Sequence, residues 1–207
     1  MLLSFLLACA SEPLPPERLN PRPFGDTAPR ATTVPGSLAP TFTAVDLDGG
    51  TVDIGSLRGS VVVLEFFNPD CPFVAHAHAD GTLETAPATW AASGVRWVPV
   101  NANRPDTVGA DPGLNRRKAD AWGLPQPVVL DSTGGIARAY GAKVTPTLAV
   151  IDKAGTLAYF GSPDNAPLGR VEGDALVDHT AAVLEALTDD RPAPYARQKP
   201  TGCTIKF

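Results

Sequence analysis

Residues 61–67, Val-Val-Val-Leu-Glu-Phe-Phe, constrain the fold of this chain more than any other stretch. A run that is apolar at both alternating positions is a strand covered on both faces, which places it in the middle of an α/β sheet. One carboxylate, Glu65, interrupts the run, either as an interior acid or as a solvent-facing residue of the strand. Asn68-Pro69-Asp70 then leads into Cys71-Pro72. Proline suits the first turn of a helix, where its missing N–H costs no hydrogen bond, so the pattern predicts a helix over Pro72–Ala79. Strand, short loop, cysteine and helix together put a sulfur at a helix N-terminus. There the unpaired amides and the helix dipole favour the thiolate, the form that reacts.

The rest of the chain organises itself around that unit. Its 207 residues suffice for one domain with short appendages. A formal net charge of −5 argues against a nucleic-acid partner, which requires a basic patch. Residues 1–9 are apolar and end in Leu6-Leu7-Ala8-Cys9, which resembles a bacterial lipobox with Cys9 as the lipidated residue. A plain signal peptide is the alternative. Both imply export to the cell envelope, where disulfides persist, with the membrane reached through a lipid anchor only. Residues 10–38 read as a proline-rich linker, 39–190 as the folded domain, and 191–207 as a tail carrying Cys203. Within the domain the predicted elements are a hairpin over 41–45 and 51–54, strands at 95–100 and 128–130, and helices at 114–122 and 136–140. Strands at 147–151 and 156–160 flank the turn Asp152-Lys153-Ala154-Gly155, and an amphipathic helix covers 174–187. His179 would then sit on a surface helix. The order is a β-α-β half, a β-hairpin and a closing helix.

Four segments in this order resemble the redoxin and AhpC/TSA branch of the thioredoxin superfamily. They are the stretch from Ala39 to Phe67, "NPDCPFVAH", "YGAKVTPTLAVIDKAGTLAYFG" and the ending "GCTIKF". The resemblance implies an α/β fold, a thioredoxin-like three-layer α/β/α sandwich with an N-terminal β-hairpin extension. It also implies a thiol-dependent oxidoreductase acting by thiol–disulfide exchange on protein or small-molecule thiols, recharged by an upstream thiol reductant and needing no cofactor. Cys71 then matches the attacking cysteine, Pro146 after Thr145 the cis-proline facing it, and Glu65 the buried acid that handles the proton.

The chain also departs from those relatives. The second thioredoxin cysteine would fall at Val74, and the Thr and Pro that peroxiredoxins place before their cysteine fall at Asn68 and Leu64, so only weak thiol-peroxidase activity is expected. A lone Cys71 needs a resolving thiol to turn over. Cys203 is the internal candidate, with a buried or merely tethering role as its alternative. A second reading, a copper- or metal-binding module, rests on Cys71 and His76, with His78 and Asp80 nearby. Side chains at 76 and 78 point about 200° apart on a helix, so both do not readily join one metal with Cys71.

Overall fold

The computed structural model describes residues 33–207. The signal segment, Cys9 and nearly all of the proline-rich linker lie outside the described residues. In chain order the elements are β1 (Thr43–Val45), β2 (Thr51–Asp53), β3 (Val62–Phe66), α1 (Pro72–Ala79), α2 (Ala86–Ala92), β4 (Arg96–Asn101), α3 (Pro112–Ala121), β5 (Val129–Leu130), α4 (Gly135–Tyr140), β6 (Val144–Thr145), β7 (Thr147–Ile151), β8 (Leu157–Gly161), α5 (His179–Thr188) and β9 (Cys203–Thr204). The central sheet runs β5-β4-β3-β7-β8, with β3 in the middle as its apolar run requires. Strands β3, β4 and β5 are parallel, whereas β7 runs antiparallel to both β3 and β8.

Alternation along β3 divides the interior in two. Val62, Leu64 and Phe66 pack with Val98, Val100, Tyr140, Ile151 and the β1–β2 hairpin on one face. Val61 and Val63 pack with Ala77, Trp97, Val183 and Leu184 on the other. Helix α4 thus covers one face and α1, α2 and α5 the other, giving the three layers the sequence predicts. Each fully buried Val, Leu or Phe here contributes roughly 1.5–3 kcal/mol over its exposed state. Glu65 shares its parity with Val61 and Val63, so it points at α1 rather than at solvent.

Two expectations, on the closing helix and on His179, are corrected, and residues 33–38 pack on the domain. Thr33 donates its hydroxyl to the Ala139 carbonyl, and Gly36 N–H bonds the Leu157 carbonyl, so this segment extends the β8 edge. The closing helix begins at His179 rather than 174. The Asn165 side chain bonds the carbonyls of Glu172 and Ala175 and the N–H of Val177, which holds the preceding residues as a loop. Asp178 then caps the helix by accepting from Ala181 N–H. His179 itself is buried against Tyr159 and Tyr195, not on the surface.

The tail is also part of the fold. Ala196 and Gln198 exchange backbone hydrogen bonds with Phe160 on β8. Further along, Ile205 is buried and its N–H bonds the Lys143 carbonyl, while the Lys206 carbonyl accepts from Arg104. The tail is therefore held on both sides of Cys203.

Candidate active site

Cys71 is the N-cap of α1, extended at φ −94° and ψ 122°, with Pro72 as the first helical residue. The helix starts where the sequence places it because Cys71 N–H closes a turn on the Asn68 carbonyl and the Cys71 carbonyl accepts the first helical bond, from Ala75. Asn68 Oδ1 accepts from Asp70 N–H and stabilises that turn. In the position where a peroxidase would hold a threonine, Asn68 therefore has a structural task.

The structure joins Cys71 to Cys203 in a disulfide across a sequence separation of 132, with the two Cα atoms 6.0 Å apart. Cys203 reaches the site because β9 adds to β6 as a short antiparallel pair, in the register Thr145 opposite Cys203 and Val144 opposite Thr204. The Thr145–Pro146 peptide bond that follows is cis. The Thr145 carbonyl oxygen lies 3.4 Å from Cys71 Sγ, so a reduced thiol at Cys71 has an acceptor within reach. Glycine is required at 202, since a Cβ there would overlap the Thr145 carbonyl. Gly202→Ala is expected to separate β9 from β6 and to suppress the disulfide. Free-thiol titration of the aerobically purified variant measures this, and quantitative Cys71–Cys203 pairing in it would refute the close-approach reading.

Glu65, which the resemblance implies is a buried acid, sits in a polar network whose other members, His78 and Trp97, the sequence did not reveal. Glu65 is fully buried on β3. Its Oε1 is 2.7 Å from His78 Nε2, and its Oε2 accepts from Trp97 Nε1 at 2.8 Å. His78 stacks on Trp122 at 4.7 Å between ring centres, and its Nδ1 has no partner. A bare acceptor nitrogen is less costly to bury than an unpaired N–H, so the geometry favours the neutral tautomer with the proton on Nε2, directed at Glu65. One signal for this was present in the sequence. His78 lies seven residues, or two turns, after Cys71 and therefore on its face of α1, while His76 faces elsewhere. His76 Nδ1 lies 3.9 Å from Asp80. Among the described residues no three His, Cys, Asp or Glu side chains stand together as a metal site, so the Cys71–His76 reading finds no third ligand.

A cavity of about 260 Å³ lies between α1, the cis-proline and the loop before α5. Phe73, His76, Pro146, Leu168, Lys199 and Thr201 contribute to its walls. Two groups at this end of the molecule have displaced protonation equilibria. Burial pushes the Tyr159 phenol and the Asp178 carboxyl upward, in Asp178 against the lowering effect of its bond from Ala181 N–H.

Residues 34–173, more than half of the chain, match the Redoxin family. The chain belongs to the Redoxin family. Among curated proteins this redoxin is similar to the thiol-disulfide oxidoreductase ResA of Halalkalibacterium halodurans, 28% identical over 130 residues that cover 63% of this chain and 69% of the relative. It also resembles ResA of Geobacillus thermodenitrificans, 32% identical over 121 residues, 58% of this chain and 64% of that protein. Among solved structures it is similar to an uncharacterized conserved protein from Geobacillus kaustophilus, with a TM-score of 0.74 and 27% identity, covering 85% of this chain and 93% of that one. Resemblance to the redoxin branch and the thioredoxin-like α/β fold, both expected from the four segments, therefore stand.

Proposed function

We propose that this redoxin is a thiol–disulfide oxidoreductase whose working couple is Cys71–Cys203. One observation carries the reading: the cysteine at the head of α1 is bonded to a second cysteine on a strand paired with Thr145, immediately before the cis-proline. The thioredoxin arrangement has both sulfurs in one helix turn, and here Val74 fills the second place, fully buried. Strand β9 brings the missing sulfur from the other end of the chain. Pairing through β6 and anchoring by Ile205 keep Cys203 beside Cys71, which raises its effective concentration well above that of a free thiol.

In this reading the helix N-terminus stabilises Cys71 as a thiolate when the bond opens. Thr145 and Pro146 shape the surface that a thiol or disulfide substrate approaches, and Glu65 with His78 forms the buried group that handles the proton. Similarity to the ResA proteins supports a protein or small-molecule thiol substrate and an upstream thiol reductant as partners. Work outside the cytoplasm, with Cys9 as a lipid anchor, is supported by the lipobox-like Leu6-Leu7-Ala8-Cys9 and by the Cys71–Cys203 bond, of a kind that persists in oxidising compartments.

The test is reduction and reoxidation of the purified protein against dithiothreitol and a peptide disulfide, followed by gel shift after alkylation. Wild type is expected to cycle between two free active-site thiols and none, and Cys71→Ser to stop at a mixed disulfide that it cannot resolve. Complete cycling by Cys71→Ser would remove Cys71 from the mechanism.

A further inference from the structure

The two sulfurs of the couple are not equally accessible. Cys71 is 1% exposed, packed with Phe67, Val74, Ala119 and Val128, whereas Cys203 is only half-buried. Thiol–disulfide exchange proceeds in line: the attacking sulfur approaches one sulfur from the side opposite the other. Which sulfur is attacked depends on access and on how well its partner leaves. Cys71 is enclosed by that cluster, which leaves an attacking thiol little access to its sulfur. Cys203 is more open: it stands opposite Thr145 and two residues after Thr201, and Thr201 and Pro146 line the 260 Å³ cavity.

We infer that Cys203, not Cys71, is the sulfur that forms the mixed disulfide with substrate, and that Cys71 is the leaving and resolving thiolate. This rests on the reading of Cys71–Cys203 as the redox couple and reverses the roles that the helix-start position suggests. In the reducing step a thiolate of a dithiol substrate attacks Cys203 Sγ. A bond forms between substrate sulfur and Cys203, the Cys71–Cys203 bond breaks, and its electron pair leaves on Cys71 Sγ. That thiolate departs into the amides of the first turn of α1, which makes it the better leaving group of the two. The second substrate thiol, deprotonated to solvent, then attacks its own mixed-disulfide sulfur. It releases Cys203 as a thiolate that takes up a proton, and the substrate leaves as its disulfide, two electrons poorer. Run in reverse, the Cys203 thiolate attacks a substrate disulfide and Cys71 resolves the intermediate. The fixed tail suits this role, since Gly202, the β6–β9 pair and Ile205 hold Cys203 in place without closing it off.

Two experiments on the same couple decide the order. Oxidised wild type is treated briefly with limiting glutathione, quenched in acid, alkylated and peptide-mapped. The glutathione adduct is expected on Cys203 and the alkyl group on Cys71. Separately, reduced Cys71→Ser and Cys203→Ser are reacted with oxidised glutathione, and Cys203 in the first variant is expected to react at least about tenfold faster than Cys71 in the second. An adduct on Cys71 in wild type, or equal or reversed rates in the variants, overturns the assignment. Should either variant misfold, the wild-type map alone decides. A wild-type disulfide that no thiol opens would defeat the proposed function instead, and the two failures are thus distinguishable.

Discussion

Cys203→Ser is expected to end turnover and to make the protein about 3–5 kcal/mol less stable than oxidised wild type. The stability change comes from the unfolded chain. A bond closing a sequence separation of 132 removes a large share of the conformations open to that chain, and the benefit grows with the logarithm of the loop. The folded state should change little, because Ile205, the Lys206 carbonyl and the β8 contacts of Ala196 and Gln198 hold the tail whether or not the sulfurs are joined. Urea unfolding should therefore give the same midpoint for Cys203→Ser and for wild type reduced with dithiothreitol, with oxidised wild type well above both. Catalytically the variant keeps one active-site thiol and has no second one there to complete the exchange. Normal cycling by Cys203→Ser, or a midpoint matching that of oxidised wild type, would make the tail cysteine dispensable.

Glu65→Ala should be the most damaging single change away from the sulfurs, with a cost of about 3–5 kcal/mol. It leaves the His78 Nε2–H and the Trp97 Nε1–H facing each other over a void, in a site with no exposure to water. Glu65→Gln should cost less. Its carbonyl still accepts from Trp97 and its amide donates to His78 Nε2, which leaves one unpaired proton on Nδ1 in place of the two stranded N–H groups of the alanine form. Trp97 is a direct reporter, so denaturation followed by tryptophan fluorescence separates the two variants. Equal stability of the alanine and glutamine forms would mean that the carboxylate's two hydrogen bonds contribute nothing. Loss of the network should also disturb the floor under Cys71, because His78 stacks on Trp122, and Trp122 meets Phe67 edge-on at 6.5 Å.

The features legible in the sequence are those encoded by neighbouring residues. The double-sided apolar run of β3 marks the centre of the sheet, Pro72 marks the start of α1, and the turn at Asp152–Gly155 marks the β7–β8 hairpin. Each is a local signal, and the structure places α1 at Pro72–Ala79 and β7 at Thr147–Ile151, where the pattern predicts them. Cys71 was recognisable for the same reason, since a cysteine before a helix-starting proline describes its own surroundings. Where the prediction moved, a distant group had intervened. Asn165 captures the backbone at 172–177, overriding an amphipathic pattern that reads as helix from 174. Packing against Tyr159 and Tyr195 buries a histidine that looks isolated in sequence.

Sequence by itself thus determined the central strand and the helix that presents Cys71, because alternation and capping are properties of a few consecutive residues, and it left open whether Glu65 on β3 faces the interior. Only the tertiary structure decided what those groups meet. His78 faces Glu65 because parallel pairing of β3 with β4 and the packing of α1 over both bring three distant residues to one point. Cys203 meets Cys71 because β9 pairs with β6 in a register that sets it opposite Thr145. Registers and helix–sheet packing arise from the summed contacts of the whole core, and no short segment carries them.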